Sequence, residues 1–528
     1  MMRASAKQPA KTSASGWLWL GPLLYMVVVC LYFVGRYAGH WAEADSATFA
    51  SIIRVFEQEG RLVPEHGEIY SNGYAFQAIS AFILAITGLD LATLQQLVYP
   101  LVAALVVLPA WALYRELTGS ARGATLASLL LFTQPEFLFV ILRSSHEKFT
   151  RTFLLLCLFF LVRSFKMRDR PWLFAMHVGL FYLTAYAFIA SNNLLAHSFI
   201  FAIAVALIAG WALERLKPSL WRPSSQILRR LPYAMLICLG LVYVFTFYIH
   251  PPAQYDLQVL QGIWNRSAAL VLDVDHQSNN AYAAVASGWV SLPVYFLISS
   301  ANWVILAASF AIWARQGLLW LWRGEQPRTR TAWLLWLLYG AFAIQGGLSV
   351  LADAGGSLTG NLQHRLFPSF SIVAVALVGT ALAQARQRRL AAPARIGLTV
   401  GIACIAVLSV LKAANEPALS NKWTFYRANE MAAMEWSDAH LWSAEIWTEY
   451  DERLNVAFST VHGDSLNRNH FAGDSVGSTT RDLILTNVTR LRSSRLGRPL
   501  PEPPDALRVY DNGEAELYHL RPRTPFQR

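Results

Sequence analysis

Charged residues are scarce in this sequence: 15% of the 528 residues are charged, 55% are hydrophobic, and the mean hydropathy is +0.35. Soluble domains carry about 25% charged residues, so this scarcity excludes an ordinary soluble protein. Cysteine is also rare. The four cysteines lie far apart within apolar runs, which excludes a disulfide framework and a thiolate metal site: Cys30, Cys157, Cys238 and Cys404.

Apolar runs long enough to cross a membrane recur along the chain as far as residue 413. A bilayer offers no partner to an unpaired backbone group, so such runs predict membrane-spanning helices. The first run lacks the small-residue exit of a cleaved signal peptide, and we expect it to be retained. The sequence predicts an α-helical polytopic membrane protein with about eleven spans: 17–35, 92–114, 123–141, 149–165, 172–190, 194–213, 231–249, 290–313, 332–351, 368–385 and 396–413.

The formal net charge of +11 raises the question of a nucleic-acid partner, but the basic residues sort by loop. With these spans, one set of alternate loops contains 22 Lys and Arg residues and the opposite set contains 8. The positive-inside rule assigns the richer set to the cytoplasm. The chain is then expected in the cell membrane with a cytoplasmic N-terminus and an extracytoplasmic C-terminus, and no nucleic-acid partner is expected.

A long first external loop, 36–91, contains two helical patterns. The apolar stretch 74–88 is about fifteen residues long, and counting it as a span would move Arg115 to the outside. We therefore expect it to lie in the outer membrane interface. The stretch DSATFASIIRVFEQE, residues 45–59, has its apolar side chains on one side and predicts a short amphipathic helix.

Acidic residues concentrate in this first external loop, whereas the cytoplasmic loops contain few. Glu43 and Asp45 follow the first span directly. Asp45 is placed either to cap the amphipathic helix or to act as a general base for an acceptor nucleophile. In the second role it could also share a divalent cation, Mg²⁺ or Mn²⁺, with a carboxylate from another loop.

Two further external loops carry polar groups. The second loop, RSSHEKFTR at 143–151, places His146, Glu147 and Lys148 in succession at a membrane boundary. Such charges either snorkel into the interface or face a polar cavity. The last loop ends in His364 and Arg365 at the start of a helix.

Arg365 either anchors its helix at the membrane surface or contacts a phosphate bidentately. Glu147 is the carboxylate that could share a cation with Asp45. A site of this kind would bind an anionic head group while the apolar bundle and the membrane lipids hold a lipid tail.

Hydropathy falls after Leu411, which divides the chain into a transmembrane domain at 1–413 and a small extracytoplasmic α/β domain at 414–528. Residues 423–442 have helical patterning, and 446–458 and 483–488 are typical of strands. The segment ALRVYDNGEAELYHL contains an Asn-Gly turn between alternating residues and predicts a hairpin.

The order of these parts resembles the GT-C superfamily of integral membrane glycosyltransferases, which use polyprenyl-linked sugar donors. This superfamily includes oligosaccharyltransferase catalytic subunits, protein O-mannosyltransferases and lipid A aminoarabinose transferases. The local resemblance lies in EADSATFASIIRVFEQEGRLVPEHGEIYSNGYAFQAISAFILAITG. It is similar to the family pattern of an acid after the first helix, a juxtamembrane helix with an Arg, a turn with Gly and Pro, and a second interfacial helix ending in Gly.

The resemblance implies roles for particular residues. Asp45 takes the position of the catalytic acid, with Glu43 beside it, and Glu147 stands where the oligosaccharyltransferase branch has a second acidic motif. Arg365 matches by position an arginine that touches the donor phosphate. The expected phosphate site is Arg365, His364, Lys148 and His146, and if the protein depends on a metal, the expected ligands are Asp45 and Glu147.

The reaction implied is transfer of a sugar or oligosaccharide from a polyprenyl phosphate or diphosphate to a protein, glycan or lipid acceptor, with inversion and with Asp45 as base. The chain departs from the oligosaccharyltransferase pattern twice: its second loop has one acid instead of a spaced pair, and its C-terminal domain contains no WWDYG sequence. Asparagine transfer and metal dependence therefore stay open.

Two other functions fit the same composition. A transporter or flippase of lipid-linked sugars would place polar groups near the bilayer midplane and repeat its halves, whereas these spans carry few charges and show no evident repeat. A polysaccharide polymerase or ligase would use the same lipid donors but would need paired basic residues in large external loops, whereas this first loop is acid-rich.

Overall fold

A computed structural model describes residues 17–37, 44–61, 73–167, 169–216, 292–323, 330–354, 362–387, 392–414, 426–441, 446–448, 469–471, 482–496 and 506–520, together with residues 240, 261, 264 and 265. The predicted span 231–249 and most of the loop that follows it lie outside these residues.

Thirteen helices precede the C-terminal domain in the described residues. Eight of the helices there are long and apolar enough to cross a membrane, or nine if one bent pair counts as a span, which supports a multi-pass membrane protein. The helices are α1 Leu20–Tyr37, α2 Ala44–Glu59, α3 Ala75–Thr87, α4 Leu91–Thr118, α5 Ala121–Phe132, α6 Pro135–Leu142, α7 Glu147–Lys166, α8 Pro171–Ser191, α9 Asn193–Leu216, α10 Leu292–Arg323, α11 Arg330–Ala354, α12 Leu362–Gln387 and α13 Ala392–Ala413.

The predicted span 123–141 is instead two helices, α5 and α6, bent by 76°. The bend follows from Pro135, which is the first residue of α6. A residue before proline is driven away from helical dihedrals, and Gln134 has φ −83° and ψ 118°. Thr133 and the Gln134 amide both donate to the Leu130 carbonyl, which closes the end of α5.

Helix α4 is irregular because it contains two prolines. A proline ring clashes with the carbonyl four residues earlier and removes one helical hydrogen bond. Pro100 accordingly follows a π-helical turn at Leu94–Val98, and Pro109 follows a 3₁₀ turn at Ala103–Val106. The π-helical turn lies at the end of α4 that approaches the second loop.

Helix α3 has 13 residues and is about 20 Å long at 1.5 Å per residue, too short to cross a hydrocarbon core of about 30 Å. It ends at Gly88, whose φ of +67° closes the helix in the left-handed region. It begins beside Gly73, where a Cβ would lie 2.5 Å from the Ala190 carbonyl oxygen. Tyr74 also donates its N–H to that oxygen, at 3.0 Å, so α3 is attached to the end of α8.

One hydrophobic core joins α1 to helices α4 through α13. Helix α12 lies near its centre and contacts α5, α10 and α11, whereas α13 lies at its edge. Helix α7, of 20 residues, packs against α4 and α8. Helices α7 and α12 also contact each other directly, through Arg151 and Arg365 near their first turns.

The C-terminal residues form a five-stranded sheet in the order β2-β1-β3-β5-β4, which confirms a small α/β unit there. The predicted Asn-Gly hairpin is present, with Gly513 at φ +83°. The strand predicted at 483–488 ends two residues early because a helix begins at Asn487. The elements are α14 Ala428–His440, β1 Ile446–Thr448, β2 Asn469–Phe471, β3 Asp482–Thr486, α15 Asn487–Leu496, β4 Ala506–Asp511 and β5 Ala515–Leu520.

Candidate active site

The amphipathic helix predicted at 45–59 is confirmed as α2, which begins at Ala44. Its apolar face is buried and includes Phe49, Ile53 and Phe56. Asp45 lies in the first turn of α2, and its side chain falls outside the described residues, as does all of Glu43. What the structure fixes is therefore the position of the helix that carries Asp45.

The second loop lies against this helix. The ring of Phe49, one helical turn beyond Asp45, is 5.1 Å from the ring of His146 between centroids. The amide Nδ2 of Asn192, between α8 and α9, lies 2.8 Å from His146 Nε2. Ser144 donates its hydroxyl to the Gln95 carbonyl in the π-helical turn of α4. The segments that carry Asp45 and His146 thus meet at one end of the bundle.

Glu147 is the first residue of α7 and is nearly closed to solvent, with 5% of its surface exposed. One carboxylate oxygen lies 3.0 Å from Arg151 Nη2, and the other lies 3.9 Å from Arg143 Nη2. Both oxygens therefore face guanidinium groups. A metal ligand at this position would have to give up those ion pairs.

The described residues contain no group of three or more His, Cys, Asp or Glu side chains arranged to hold a metal ion. The surroundings of Glu147 do not fit the role of metal ligand either, because its carboxylate is occupied by two cations. The shared site with Asp45 stays a prediction, since the Asp45 side chain is outside the described residues.

Arg151 is a residue that the sequence reasoning placed in the second loop without a role. It is completely buried, one turn into α7. Besides its ion pair with Glu147, it donates from Nη1 to the Ser369 hydroxyl and from Nη2 to the Arg365 carbonyl, at 2.8 Å. The i, i+4 spacing of Glu147 and Arg151 was the available signal, since residues with this spacing share a helix face.

Arg365 lies in the first turn of α12 with an exposed side chain. Its guanidinium is close enough to Glu147 for the two charges to interact. The His364 side chain falls outside the described residues. Arg365 is therefore an exposed, positively charged side chain at this end of the bundle.

The Lys148 side chain makes its contacts inside the protein. It is buried, donates to the Arg143 carbonyl at 2.8 Å, and places its ammonium 5.2 Å from the centre of the Tyr99 ring. Tyr99 belongs to an aromatic cluster with Phe49, Phe76 and Phe149. The cluster fixes α2, α3, α4 and α7 relative to one another.

Several neutral polar side chains are buried around the second loop, and their polar atoms find no hydrogen-bond partner among the described residues. A buried unpaired amide or hydroxyl costs about 1–3 kcal/mol, so a group of them calls for an explanation. They neighbour residues already placed at this end, and sequence reasoning missed them because isolated polar residues in apolar runs carry no motif. They are Ser46, Gln77, Gln95, Ser145 and Asn193.

The C-terminal domain contacts the same helix. Ala50 of α2 is fully buried in a cluster with Tyr426, Met434, Ile484 and Leu517. Ala50 and Phe49 are adjacent, so α2 lies between the C-terminal domain and the second loop. The C-terminal domain is therefore on the same side of the bundle as the predicted site.

No family model and no curated protein matches the sequence. Among solved structures, the fold is similar to ArnT from Cupriavidus metallidurans bound to undecaprenyl phosphate, with a TM-score of 0.52 and 13% identity over 96% of this chain and 98% of that one.

It is also similar to the Archaeoglobus fulgidus oligosaccharyltransferase tethered to an acceptor peptide, with a TM-score of 0.51 and 13% identity over 84% of this chain and 63% of that one. The complex of the archaeal enzyme with Zn and sulfate has a TM-score of 0.50 and 14% identity, over 84% of this chain and 61% of that one. This chain thus spans less than two thirds of the archaeal enzyme. The likenesses show that this chain shares the fold of these two proteins, as the resemblance predicted.

Proposed function

We propose that this chain, which has the fold of the GT-C membrane glycosyltransferases, transfers a sugar or oligosaccharide from a polyprenyl phosphate or diphosphate to an acceptor at the extracytoplasmic surface. The observation that carries the proposal is the contact between Phe49 and His146, which brings the helix of Asp45 to the second loop. Arg365 lies at the same end through its bond with Arg151.

The charges at this end suit a lipid phosphate. The second loop and the start of α7 contribute Arg143, Lys148 and Arg151 against one acid, Glu147. Arg365 adds an exposed guanidinium, which can bind phosphate oxygens in a bidentate manner. The apolar helices below would hold the polyprenyl chain, because its transfer out of water is favourable.

The proposed reaction uses Asp45 and Arg365. Asp45 accepts the proton of an acceptor hydroxyl or amide, whose oxygen or nitrogen then bonds to the anomeric carbon. The bond between that carbon and the phosphate oxygen breaks, and its electron pair stays on the leaving phosphate. Arg365 stabilises the charge that develops there. Attack opposite the leaving group inverts the anomeric carbon.

The unpaired amides and hydroxyls support a sugar substrate. A sugar ring presents several hydroxyl groups that both donate and accept, and the side chains of Gln77, Gln95 and Asn193 do the same. Pairing these groups with a bound sugar would recover hydrogen bonds that the described part of the chain leaves unmade. The C-terminal domain, packed on α2 through Ala50, is positioned to present the acceptor.

The test is a donor panel. Purified protein in lipid nanodiscs is incubated with radiolabelled polyprenyl phosphate sugars and polyprenyl diphosphate oligosaccharides, with and without candidate acceptors and with a chelator in parallel. One class of donor is expected to be consumed, with release of the lipid phosphate. Binding without consumption of any donor would contradict the proposal and favour a flippase, and consumption into a growing polymer would favour a polymerase.

A further inference from the structure

Glu147 was expected to bind a metal ion if the protein depends on one, whereas the structure places a guanidinium beside its carboxylate. Arg151 Nη2 lies 3.0 Å from a Glu147 oxygen, and Arg151 is 0% exposed. A buried arginine is costly unless its donors are paired. The two terminal nitrogens, Nη1 and Nη2, have such partners: the Glu147 carboxylate, the Ser369 hydroxyl and the Arg365 carbonyl.

The Arg365 carbonyl belongs to a helical turn that needs support. Pro368, three residues further along α12, has no N–H to donate to the carbonyl of His364. The first turn of α12 therefore lacks one of its own hydrogen bonds. Arg151 adds bonds to this region from α7, at the carbonyl of Arg365 and at Ser369, on either side of the proline.

We propose that Arg151 is a positioning residue that replaces a metal ion in this protein: held by Glu147, it fixes the first turn of α12 so that the Arg365 side chain meets the phosphate of a lipid carrier. The proposal rests on the proposed function. A fixed guanidinium at this position supplies the positive charge that a cation on Glu147 would have supplied.

Phosphate recognition should then not require divalent cations, but it should require the shape of the Arg151 side chain. Lysine keeps the charge but lacks the planar fork that reaches three acceptors. Arg151→Lys should therefore loosen the first turn of α12. Arg163→Lys is the matched control, because Arg163 lies on the same helix and pairs with Glu116 at 3.0 Å, near the opposite end of α7.

The measurement is the ratio of dissociation constants for polyprenol and polyprenyl phosphate, obtained for each variant in nanodiscs with EDTA and with Mn²⁺. This ratio isolates the phosphate, since a merely structural defect would weaken both lipids together. The wild type should prefer the phosphate equally in EDTA and Mn²⁺. Arg151→Lys should reduce that preference about tenfold, the loss of roughly one charge-assisted hydrogen bond, and Arg163→Lys should keep it.

Three results would overturn the proposal. If the wild-type preference for polyprenyl phosphate vanishes in EDTA and returns with Mn²⁺, a metal ion binds the phosphate after all, and the proposed function is unaffected. An unchanged preference in Arg151→Lys would remove Arg151 from phosphate recognition. No preference in the wild type would end both the proposed function and this inference. If Arg151→Lys does not fold, Ser369→Ala decides, because it removes one acceptor and must itself lower the preference.

Discussion

Two buried cations near the start of α7 are accommodated in different ways. The compact ammonium of Lys148 is satisfied by one carbonyl and the face of Tyr99. The guanidinium of Arg151 forms an ion pair with Glu147 on its own helix and donates hydrogen bonds to two groups on α12. Arginine has five donors in a rigid fork, so it can join elements that a lysine cannot. Neither side chain is exposed, whereas that of Arg365 is.

Removal of the Glu147 charge should destabilise the protein strongly. Glu147→Gln leaves the guanidinium of Arg151 buried without its counter-charge, which typically costs about 3–5 kcal/mol. Glu116→Gln is the comparison, because that carboxylate pairs with Arg163 and Lys166 in a more exposed position and should cost about 0–1 kcal/mol. Thermal unfolding in nanodiscs measures both. Equal losses would show that Glu147 does not serve Arg151 as described.

Removal of an unpaired amide, in contrast, should not destabilise the protein. Gln95→Met keeps the volume of the side chain and removes polar atoms that are buried without partners, so the melting temperature should stay the same or rise. The affinity for a polyprenyl phosphate sugar should fall about tenfold, while that for polyprenyl phosphate alone is unchanged. Ser128→Ala, which removes an unpaired hydroxyl in α5, should leave both affinities unchanged. A drop in stability without loss of sugar affinity would contradict a role in sugar binding.

At the scale of elements, α3 depends on its two ends. Gly73 touches the backbone at the end of α8, and Gly88 turns the chain toward α4. Both have positive φ, but only Gly73 also lacks space for a Cβ. Substitution of Gly88 therefore tests backbone strain alone, whereas substitution of Gly73 tests strain together with a steric clash.

Gly73→Ala should displace α3 from α8, because the new Cβ would approach the Ala190 and Ser191 backbone within 3 Å. A cost of at least about 2 kcal/mol and a loss of turnover are expected, since α3 carries Phe76 of the aromatic cluster. Gly88→Ala adds strain of about 1 kcal/mol and no clash, and should retain turnover. Unfolding and donor consumption are measured together, and equal behaviour of the two variants would contradict the attachment of α3 to α8.

Some of these elements could be predicted from the sequence, and others could not. The hydropathy of 123–141 predicted one span, because a window average does not register the bend that Pro135 imposes. The helix of Asp45 was found from the spacing of its apolar residues, and the hairpin from Asn512 and Gly513. The partners of Arg151 on α12 lie more than 200 residues away, and no local pattern reveals a contact of that separation.

At the scale of the whole molecule, the packing of the C-terminal domain on Ala50 places it beside α2. Taken with the positive-inside rule, this packing gives a prediction: α2 and the hairpin should both be extracytoplasmic, and the basic segment near Arg388 should be cytoplasmic.

Cysteine labelling tests that arrangement. In a background with the four native cysteines replaced by alanine, Glu57→Cys on α2 and Leu507→Cys on β4 should react with a membrane-impermeant maleimide in intact cells, since both positions are exposed. Arg388→Cys should react only after permeabilisation. Labelling of positions 57 and 388 from the same side would contradict the assigned topology.

The most direct test concerns the carboxylate at the start of α2. Single-turnover consumption of the active donor is measured for the wild type, for Asp45→Asn and for Glu57→Gln, an exposed carboxylate later on the same helix. The account predicts that Asp45→Asn binds the donor as tightly as the wild type and turns it over about 10²–10⁴-fold more slowly, while Glu57→Gln keeps the wild-type rate. An Asp45→Asn protein that consumes the donor at the wild-type rate would contradict it.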